Sequence, residues 1–184
     1  MKIGIDVSQI VHQGTGVAFY TQNLVASLLK RDKKNEYVLF GGSLRQKKFL
    51  DDYLTQFQDN KKVTAKTFFL PPLLLEFLWN RLHVFPIEWW IGKIEVFFSS
   101  DWLQPPTKAK KVTTIHDLIV YQYPESFQQK GGHDIVVNQK RRLNWVKKEC
   151  DLIICDSEAT KKDVREILKI PEKKLKVIYP GGQC

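Results

Sequence analysis

Short runs of β-branched and aromatic residues alternate along the chain with segments in which apolar residues recur every three or four positions. The apolar runs predict strands at residues 2–7, 36–40, 63–70, 96–99, 111–116, 152–155 and 176–179. The segments between them predict helices, the first with Val17, Tyr20, Leu24 and Leu28 at helical spacing. This alternation indicates an α/β fold: a Rossmann-like parallel sheet of about seven strands with helices on both faces.

Two of the predicted helices have recognisable ends. Residues 73–84 have helical spacing, and Pro86 breaks that pattern. Ser157 is a predicted N-cap for a helix that carries Val164 on its inner face and ends before Pro171. We therefore expect a helix directly after the third strand and another directly after the sixth.

The composition is that of a globular protein, because 43% of the 184 residues are hydrophobic and 27% are charged. Three cysteines, an odd and low number, exclude a disulfide framework, and Cys150 and Cys155 are expected to be small core residues. No apolar run reaches the roughly 18 residues of a membrane span, and Asp6 interrupts the N-terminal run before it resembles a signal peptide. These features predict a cytoplasmic protein.

The positive charge is spread along the chain, with 29 Lys and Arg against 20 Asp and Glu and a net charge of +9. Basic clusters lie at residues 30–34, at 108–111 and at 140–142 with 147–148. Most such clusters are solvated helix ends or turns, which makes nucleic acid an unfavoured partner. Residues 68–91 are rich in Phe, Leu and Trp. This segment predicts either a helix packed on the sheet or on a partner domain, or a contact with a membrane surface.

A glycine-containing loop, Gly14, Thr15 and Gly16, joins the first strand to its helix. Glycines let a backbone approach a phosphate closely, and a helix N-terminus offers free N–H groups. A dinucleotide fingerprint is not satisfied, because Phe19 stands where the third glycine belongs and Glu36 lies at the start of the second strand. The loop is therefore either a phosphate-facing cleft loop or a turn without a ligand.

His116 and Asp117 follow the fifth strand, at the edge of the sheet where ligands bind in such folds. A histidine there can hydrogen-bond a hydroxyl or a phosphate oxygen near neutral pH. The alternative is a structural histidine that caps the end of the strand. The sequence has neither a G-x4-G-K-[ST] phosphate loop nor a G-x-S-x-G nucleophile elbow.

Four motifs, taken in chain order, resemble the N-terminal domain of a retaining family-4 glycosyltransferase of the GT-B fold. They are the loop and helix at residues 14–20, VTTIHDL at 112–118, CDSEATKKD at 155–163 and KVIYPGG at 176–182. The resemblance implies half of a two-domain enzyme, in which this half mainly holds the acceptor and a C-terminal domain mainly holds a nucleotide-sugar donor.

The resemblance also implies roles for individual residues. Gly14, Thr15 and Gly16 are expected to lie beside the donor phosphates. His116 and Asp117 are expected to be the catalytic residues. The resemblance implies that the reaction needs neither a metal nor a cofactor.

The acceptor contacts are the part of the resemblance that this sequence matches least. Many relatives have a histidine after the preceding strand, where this chain reads FSSDW at residues 98–102. We expect Trp102 or Tyr121 to stack on a sugar ring of a saccharide or lipid-linked acceptor.

The resemblance predicts a domain at residues 1–180 and the start of an interdomain linker at 181–184, without the C-terminal donor domain. Because one wall of a cleft cannot position both substrates, the isolated chain is expected to be inactive until a donor domain is supplied in cis or in trans. The expected location is cytoplasmic, with peripheral contact to the inner face of the cell membrane. The alternatives are a non-catalytic Rossmann-like binding module and a basic domain that binds nucleic acid or anionic lipid.

Overall fold

Seven parallel strands form one sheet in the order β3-β2-β1-β4-β5-β6-β7. The computed structural model describes residues 1–127 and 132–181. The strands are β1 (Lys2–Asp6), β2 (Glu36–Gly42), β3 (Val63–Phe68), β4 (Val96–Ser99), β5 (Lys110–Ile115), β6 (Leu152–Cys155) and β7 (Leu175–Val177). All seven predicted strands are confirmed, with ends displaced by no more than two residues.

Helices cover both faces of this sheet. The α-helices in the described residues are α1 (Gly16–Arg31), α2 (Lys47–Thr55), α3 (Pro72–Leu75), α4 (Glu88–Ile91), α5 (Ile119–Gln122), α6 (Gly132–Glu149) and α7 (Glu158–Leu168). In β2, Tyr37 and Leu39 pack with α1 and α2, whereas Val38 and Phe40 pack with α3 and α4 on the opposite face. The predicted Rossmann-like α/β fold is therefore confirmed.

The strand order reverses direction between β1 and β4. Successive strands run outward from β1 toward β3 on one side and from β4 toward β7 on the other. In open parallel sheets, ligands bind in the crevice beyond the carboxyl ends of the strands at such a switch point. We therefore expect the ligand-binding residues to be among those that follow β1, β4, β5 and β6.

Helix α1 has the predicted helical period but uses a different face to pack on the sheet. The side chains buried against the sheet are Ala18, Thr21, Val25 and Leu29. The row predicted from the sequence, Val17, Tyr20, Leu24 and Leu28, is only half-buried. The first three of these side chains line a cavity. Apolar side chains of α1 thus lie on two faces, one packed on the sheet and one lining the cavity. Periodicity in the sequence does not distinguish these two faces.

The segment from residue 68 to residue 91 both packs on the sheet and exposes apolar side chains. Helix α3 continues into a π-helical turn, Glu76–Leu82, which ends at His83 in the left-handed region (φ 56°). Leu75 and Trp79 are fully buried. The packing interpretation is therefore confirmed for these inward side chains, while their outward neighbours remain in solvent.

Two residues counted in basic clusters are buried, which corrects the expectation of solvated charge. Arg142 and Lys111 are each only 2% exposed. Lys111 Nζ bonds the Pro105 carbonyl and, at 2.5 Å, Glu149. Arg142 donates to Thr113 and Thr114 of β5. Both side chains thus bond groups inside the fold, and a cluster of basic residues in the sequence does not by itself indicate a basic surface.

Two further predictions concern the burial of the cysteines and the lack of a membrane span. Cys150 and Cys155 are buried as predicted, and burial raises the pKa of each thiol to about 11. Cys184 and the predicted linker beyond Gly181 lie outside the described residues. In the ranges 1–127 and 132–181, none of the helices has the length and apolar character of a bilayer span.

Candidate functional site

His116, the residue directly after β5, is held by a carboxylate from the neighbouring strand end. Its Nδ1 lies 2.6 Å from Oδ2 of Asp156, which directly follows β6. Because a carboxylate only accepts hydrogen bonds, the proton of a neutral His116 ring is on Nδ1. The Nε2 atom is then the nitrogen that can accept a hydrogen bond from a ligand.

The backbone of His116 is held by the helix that follows β6. The Thr160 hydroxyl donates to the His116 carbonyl at 3.1 Å. Ser157 caps α7, as predicted, and its Oγ accepts from the Thr160 backbone N–H at 3.1 Å. The two motifs at residues 112–118 and 155–163 thus form one local structure around the histidine.

Tyr20 of α1 packs on the other side of the His116 ring. The two rings meet edge to face with centroids 4.9 Å apart. The Tyr20 hydroxyl lies 3.0 Å from Thr114 Oγ1, which ties α1 to β5. Burial, together with the charge of Asp156, raises the pKa of Tyr20 despite the opposing hydrogen bond from Thr114, so the phenol stays neutral.

The N-terminus of α1 is capped and carries no acidic residue in its first turn. The Thr15 side chain accepts from the Ala18 backbone N–H at 3.2 Å and donates to the His12 carbonyl at 2.8 Å. Gly14 adopts φ +80°, a conformation that favours glycine. The N–H groups of Gly16 and Val17 belong to the first helical turn, have no intrahelical acceptor, and can meet an anion.

A groove between α1 and the residues after β7 joins these features; we call it the α1 groove. Its cavity volume is about 730 Å³. His116 and Asp156 line it together with Val17 and Tyr20 of α1. The opposite wall is formed by Ile178, Tyr179, Pro180 and Gly181. Each of the four sequence motifs contributes to this one groove.

A second cavity, which we call the switch-point pocket, lies beyond the ends of β1 and β4. It has a volume of about 390 Å³ and is lined by Gln9, Glu76, Asp101, Trp102 and Gln139, among others. Trp102, a predicted acceptor residue, donates from its indole Nε1 to Glu76 Oε1 at 2.5 Å. The prediction that its ring stacks on a sugar stays open, and the ring does border a cavity.

Besides Gly14, two predicted site residues, Asp117 and Tyr121, line neither cavity. Asp117 is exposed, and its Oδ1 accepts from the Ile119 backbone N–H at 3.0 Å, which begins α5. Tyr121 packs against the α6 and α7 core, with Lys140 Nζ 5.1 Å from its ring centre. The catalytic and acceptor roles predicted for these two residues stay predictions.

Two acidic residues that directly follow or end a strand, Asp156 and Asp6, were not predicted from the sequence as site residues. Asp156 follows a buried strand at the same sheet edge as His116, so the signal that singled out His116 was also present there. Asp6 ends β1 and is 1% exposed. Its Oδ1 accepts from the Ser8 backbone N–H, while its buried Oδ2 has no partner in the described structure.

Burial raises the pKa of Asp6, and the charge of Asp101 adds to the increase while hydrogen bonds from Ser8 and Ser100 oppose it. A second charge, the Arg142 guanidinium, lies below the same edge. It donates to Thr113 Oγ1 and to the Thr114 carbonyl, both at 3.0 Å. The described residues contain no group of three His, Cys, Asp or Glu side chains that could hold a metal ion.

The described residues thus form a Rossmann-like domain with two cavities at the carboxyl edge of its sheet. Residues 14–181 match the sequence model of Glycosyltransferase Family 4, and the chain belongs to this family. No curated protein sequence matches the chain.

A solved structure gives a second comparison. The crystal structure of Anabaena Alr3699/HepE in complex with UDP is similar, with 15% sequence identity and a TM-score of 0.49. The match covers 98% of this chain and 44% of that one, so the chain spans less than half the length of the Anabaena protein.

Proposed function

We propose that the chain is the acceptor-side half of a retaining glycosyltransferase. It transfers a sugar from a nucleotide-sugar donor to a saccharide or lipid-linked acceptor when a donor-binding domain completes the cleft. In this proposal residues 1–180 are the N-terminal domain and residues 181–184 begin the linker. The isolated chain has little or no transfer activity.

One observation carries this proposal: residues from all four motifs line the α1 groove around His116. A structural histidine would have both ring nitrogens satisfied. In the described structure only Nδ1 of His116 has a partner, Asp156, and the ring is 19% exposed. The second nitrogen therefore remains available at the sheet edge where ligands bind in this class of fold.

In this proposal, two parts of the groove have different roles. The free N–H groups at the start of α1 are suited to the departing phosphate, whose negative charge grows as the bond to the sugar breaks. His116 Nε2 accepts a hydrogen bond from a substrate hydroxyl, or donates one when the ring is protonated. In this proposal the metal-free reaction relies on backbone dipoles and positioning.

Replacement of His116 by Ala tests the proposal in the presence of a donor-binding domain. We expect the rate of sugar transfer to fall by about 100-fold or more, because the ring contacts the reacting groups. Lys30→Ala is the control, since Lys30 is exposed on α1 outside the groove, and it is expected to leave the rate unchanged. An unchanged rate in His116→Ala would instead support a non-catalytic binding module.

An exposed apolar surface favours a further property, peripheral contact with a membrane. We call this surface the apolar belt; its members are Phe69, Leu73, Leu74, Phe77, Leu82, Val84, Phe85 and Trp89. Leu73 is 76% exposed and Trp89 is 73% exposed. Several exposed apolar side chains within one segment of a chain mark contacts with lipid or with other proteins. Together with the net charge of +9, the belt supports contact with an anionic lipid surface.

A further inference from the structure

His83, a residue that lines neither the α1 groove nor the switch-point pocket, connects the π-helical turn to helix α6. Its side chain is 10% exposed. The Nδ1 atom lies 2.8 Å from the Trp79 carbonyl oxygen, and Nε2 lies 2.7 Å from Glu149 Oε1. A carbonyl and a carboxylate both accept hydrogen bonds, whereas a neutral imidazole has only one N–H to donate. Both contacts are therefore satisfied together only when each ring nitrogen carries a proton.

Glu149 is held in its ionised form, which leaves the proton between the two side chains on the histidine. Lys111 Nζ lies 2.5 Å from the second carboxylate oxygen, Oε2. Burial raises the pKa of Glu149, but the hydrogen bonds from His83 and Lys111 outweigh burial and lower it. The three side chains thus form a row of alternating charge, with the carboxylate between two cations.

The ring of Trp145 also favours a positive charge on His83. The two rings are stacked, with centroids 3.6 Å apart and planes inclined by 9°. A cation over the face of an indole ring is attracted by its π electrons. The Trp145 indole N–H donates to the Asn80 carbonyl at 2.9 Å, which fixes the plane of the indole against the π-helical turn.

Two further titratable groups lie beside this cluster. Lys148 Nζ is 4.6 Å from the Trp145 ring centre, so its charge opposes a positive charge on His83. The Cys150 thiol follows Glu149 in the chain, and burial raises its pKa to about 11, so it stays neutral near pH 7. Among the described residues, Glu149 is the acidic side chain that bonds the ring.

The backbone around the ring has an unfavourable conformation. His83 and Phe85 have φ of 56° and 60°, in the left-handed region that side chains of this kind rarely adopt. Such residues persist only where neighbouring contacts hold them in place. Here the Val84 N–H donates to the Leu78 carbonyl and the Trp79 indole N–H donates to the Phe85 carbonyl, both at 3.0 Å. The contact between His83 and Glu149 joins this segment to α6.

We propose that doubly protonated His83 is a pH-sensitive latch between the π-helical turn and α6. When the ring loses one proton, one of its two hydrogen bonds is replaced by a repulsion between lone pairs, and the segment is released from α6. Leu82, Val84 and Phe85 belong to the apolar belt and are 50%, 38% and 42% exposed. The latch therefore controls the orientation of three belt side chains. Its meaning for lipid binding rests on the proposed membrane contact, but the latch itself needs neither lipid nor sugar.

Nitrogen NMR of the chain, from about pH 5.5 to about pH 9, tests the latch across the range in which histidines titrate. At the acidic end, both ring nitrogens of His83 are expected to carry a proton. The loss of one proton and a shift of the Trp79 indole N–H resonance are expected to have the same midpoint. Protection of the Val84 amide from hydrogen exchange, corrected for the intrinsic effect of pH, is expected to fall by about threefold or more.

Three variants isolate the histidine and its partner. His83→Asn removes the titrating ring and keeps a residue that tolerates positive φ, so it is expected to abolish the pH response of Trp79 and Val84. Glu149→Gln keeps an oxygen acceptor without the charge, and is expected to move the midpoint about one pH unit lower or more. His12→Asn makes the same substitution at an exposed histidine and is expected to leave the response unchanged.

Four results would each overturn the latch. They are a single ring proton on His83 at the acidic end, a proton on Glu149 in its place, both ring protons retained through the whole range, and a segment that does not respond when the ring loses a proton. A response that persists in His83→Asn would have the same meaning, because another group would then cause it.

The latch and the proposed membrane contact fail in different ways. A pH response of the segment in a chain that binds no vesicles at any pH keeps the latch and rejects contact with lipid. Vesicle binding by a chain whose segment does not respond to deprotonation of His83 keeps the belt and rejects the latch. Loss of sugar transfer in His116→Ala tests the proposed enzyme and is independent of both.

Discussion

His116 and Asp156 join the ends of two adjacent strands, with Nδ1 and Oδ2 2.6 Å apart. Both side chains are about four-fifths buried, at 19% and 21% exposure. A hydrogen bond to a carboxylate in such surroundings fixes both the tautomer and the orientation of an imidazole ring. Asp156 is therefore a positioning residue for His116 in the α1 groove.

Replacement of Asp156 by Leu, which has a similar size and no hydrogen-bond acceptor, is expected to free the His116 ring. Nitrogen NMR of the imidazole should then show a mixture of the two neutral tautomers, where the original chain shows Nδ1 protonated. With a donor-binding domain present, sugar transfer is expected to fall by about tenfold or more, and Asp156→Asn is expected to retain more activity than Asp156→Leu. A single tautomer in Asp156→Leu would contradict the positioning role.

Arg142 offers a comparison with an adjacent residue of the same type. Arg142 is buried and donates to Thr113 and Thr114, whereas Arg141 is exposed. Arg142→Ala leaves a cavity and an unsatisfied carbonyl, so the free energy of unfolding is expected to fall by about 2–4 kcal/mol. Arg141→Ala is expected to change it by less than about 0.5 kcal/mol. Urea denaturation of both variants gives the measurement, and equal effects would show that Arg142 is not a buried anchor.

Asp6 is expected to make the stability of the fold depend on pH. Burial raises its pKa above the ordinary value of 3.8, so the native state retains a proton that the unfolded chain releases. The free energy of unfolding therefore falls as the pH rises from 3.8 through the raised pKa. Asp6→Asn keeps the acceptor for the Ser8 N–H and removes this ionisation.

The Asp6→Asn variant is thus expected to melt at a higher temperature than the original chain, with a difference that grows as the pH rises from 4 toward the raised pKa. Thermal melts across a series of buffers provide the test. Asp59→Asn, at an exposed position, is the control for removal of one negative charge. A variant that is less stable than the original chain over the whole range would refute the burial argument.

The sequence was sufficient to predict the fold because its signals are local. Strand runs, the Ser157 cap and the glycines near α1 each act within a few residues, and the structure has each of them at the predicted place. When strands and helices alternate, few topologies of the sheet are possible, because crossovers between parallel strands are almost always right-handed.

The site was predicted only in part, because its contacts are distant in sequence. His116 could be recognised from its place after a strand, but its partner Asp156 lies 40 residues away, and which strand ends are neighbours depends on sheet order. The burial of Arg142 and Lys111 also depends on tertiary packing. From the sequence both residues were predicted to carry surface charge, because a cluster of basic residues does not show which way each side chain points.

The apolar belt gives the last prediction, which concerns binding to lipid vesicles. Transfer of Leu73 and Trp89 from water to a bilayer interface contributes about 1.5–3 kcal/mol for each fully buried side chain, so a few such residues suffice for measurable binding. The chain is expected to co-sediment with vesicles that contain phosphatidylglycerol, and the double variant Leu73→Ser with Trp89→Ser is expected to lose at least about tenfold in affinity.

Ile119→Ser with Tyr123→Ser is the matched control, because these apolar side chains are exposed on and beside α5, outside the belt. Equal loss in both double variants, or no binding by the original chain, would reject membrane contact through the belt. Retention of binding to neutral vesicles would show that apolar insertion outweighs the attraction between the +9 chain and anionic lipid.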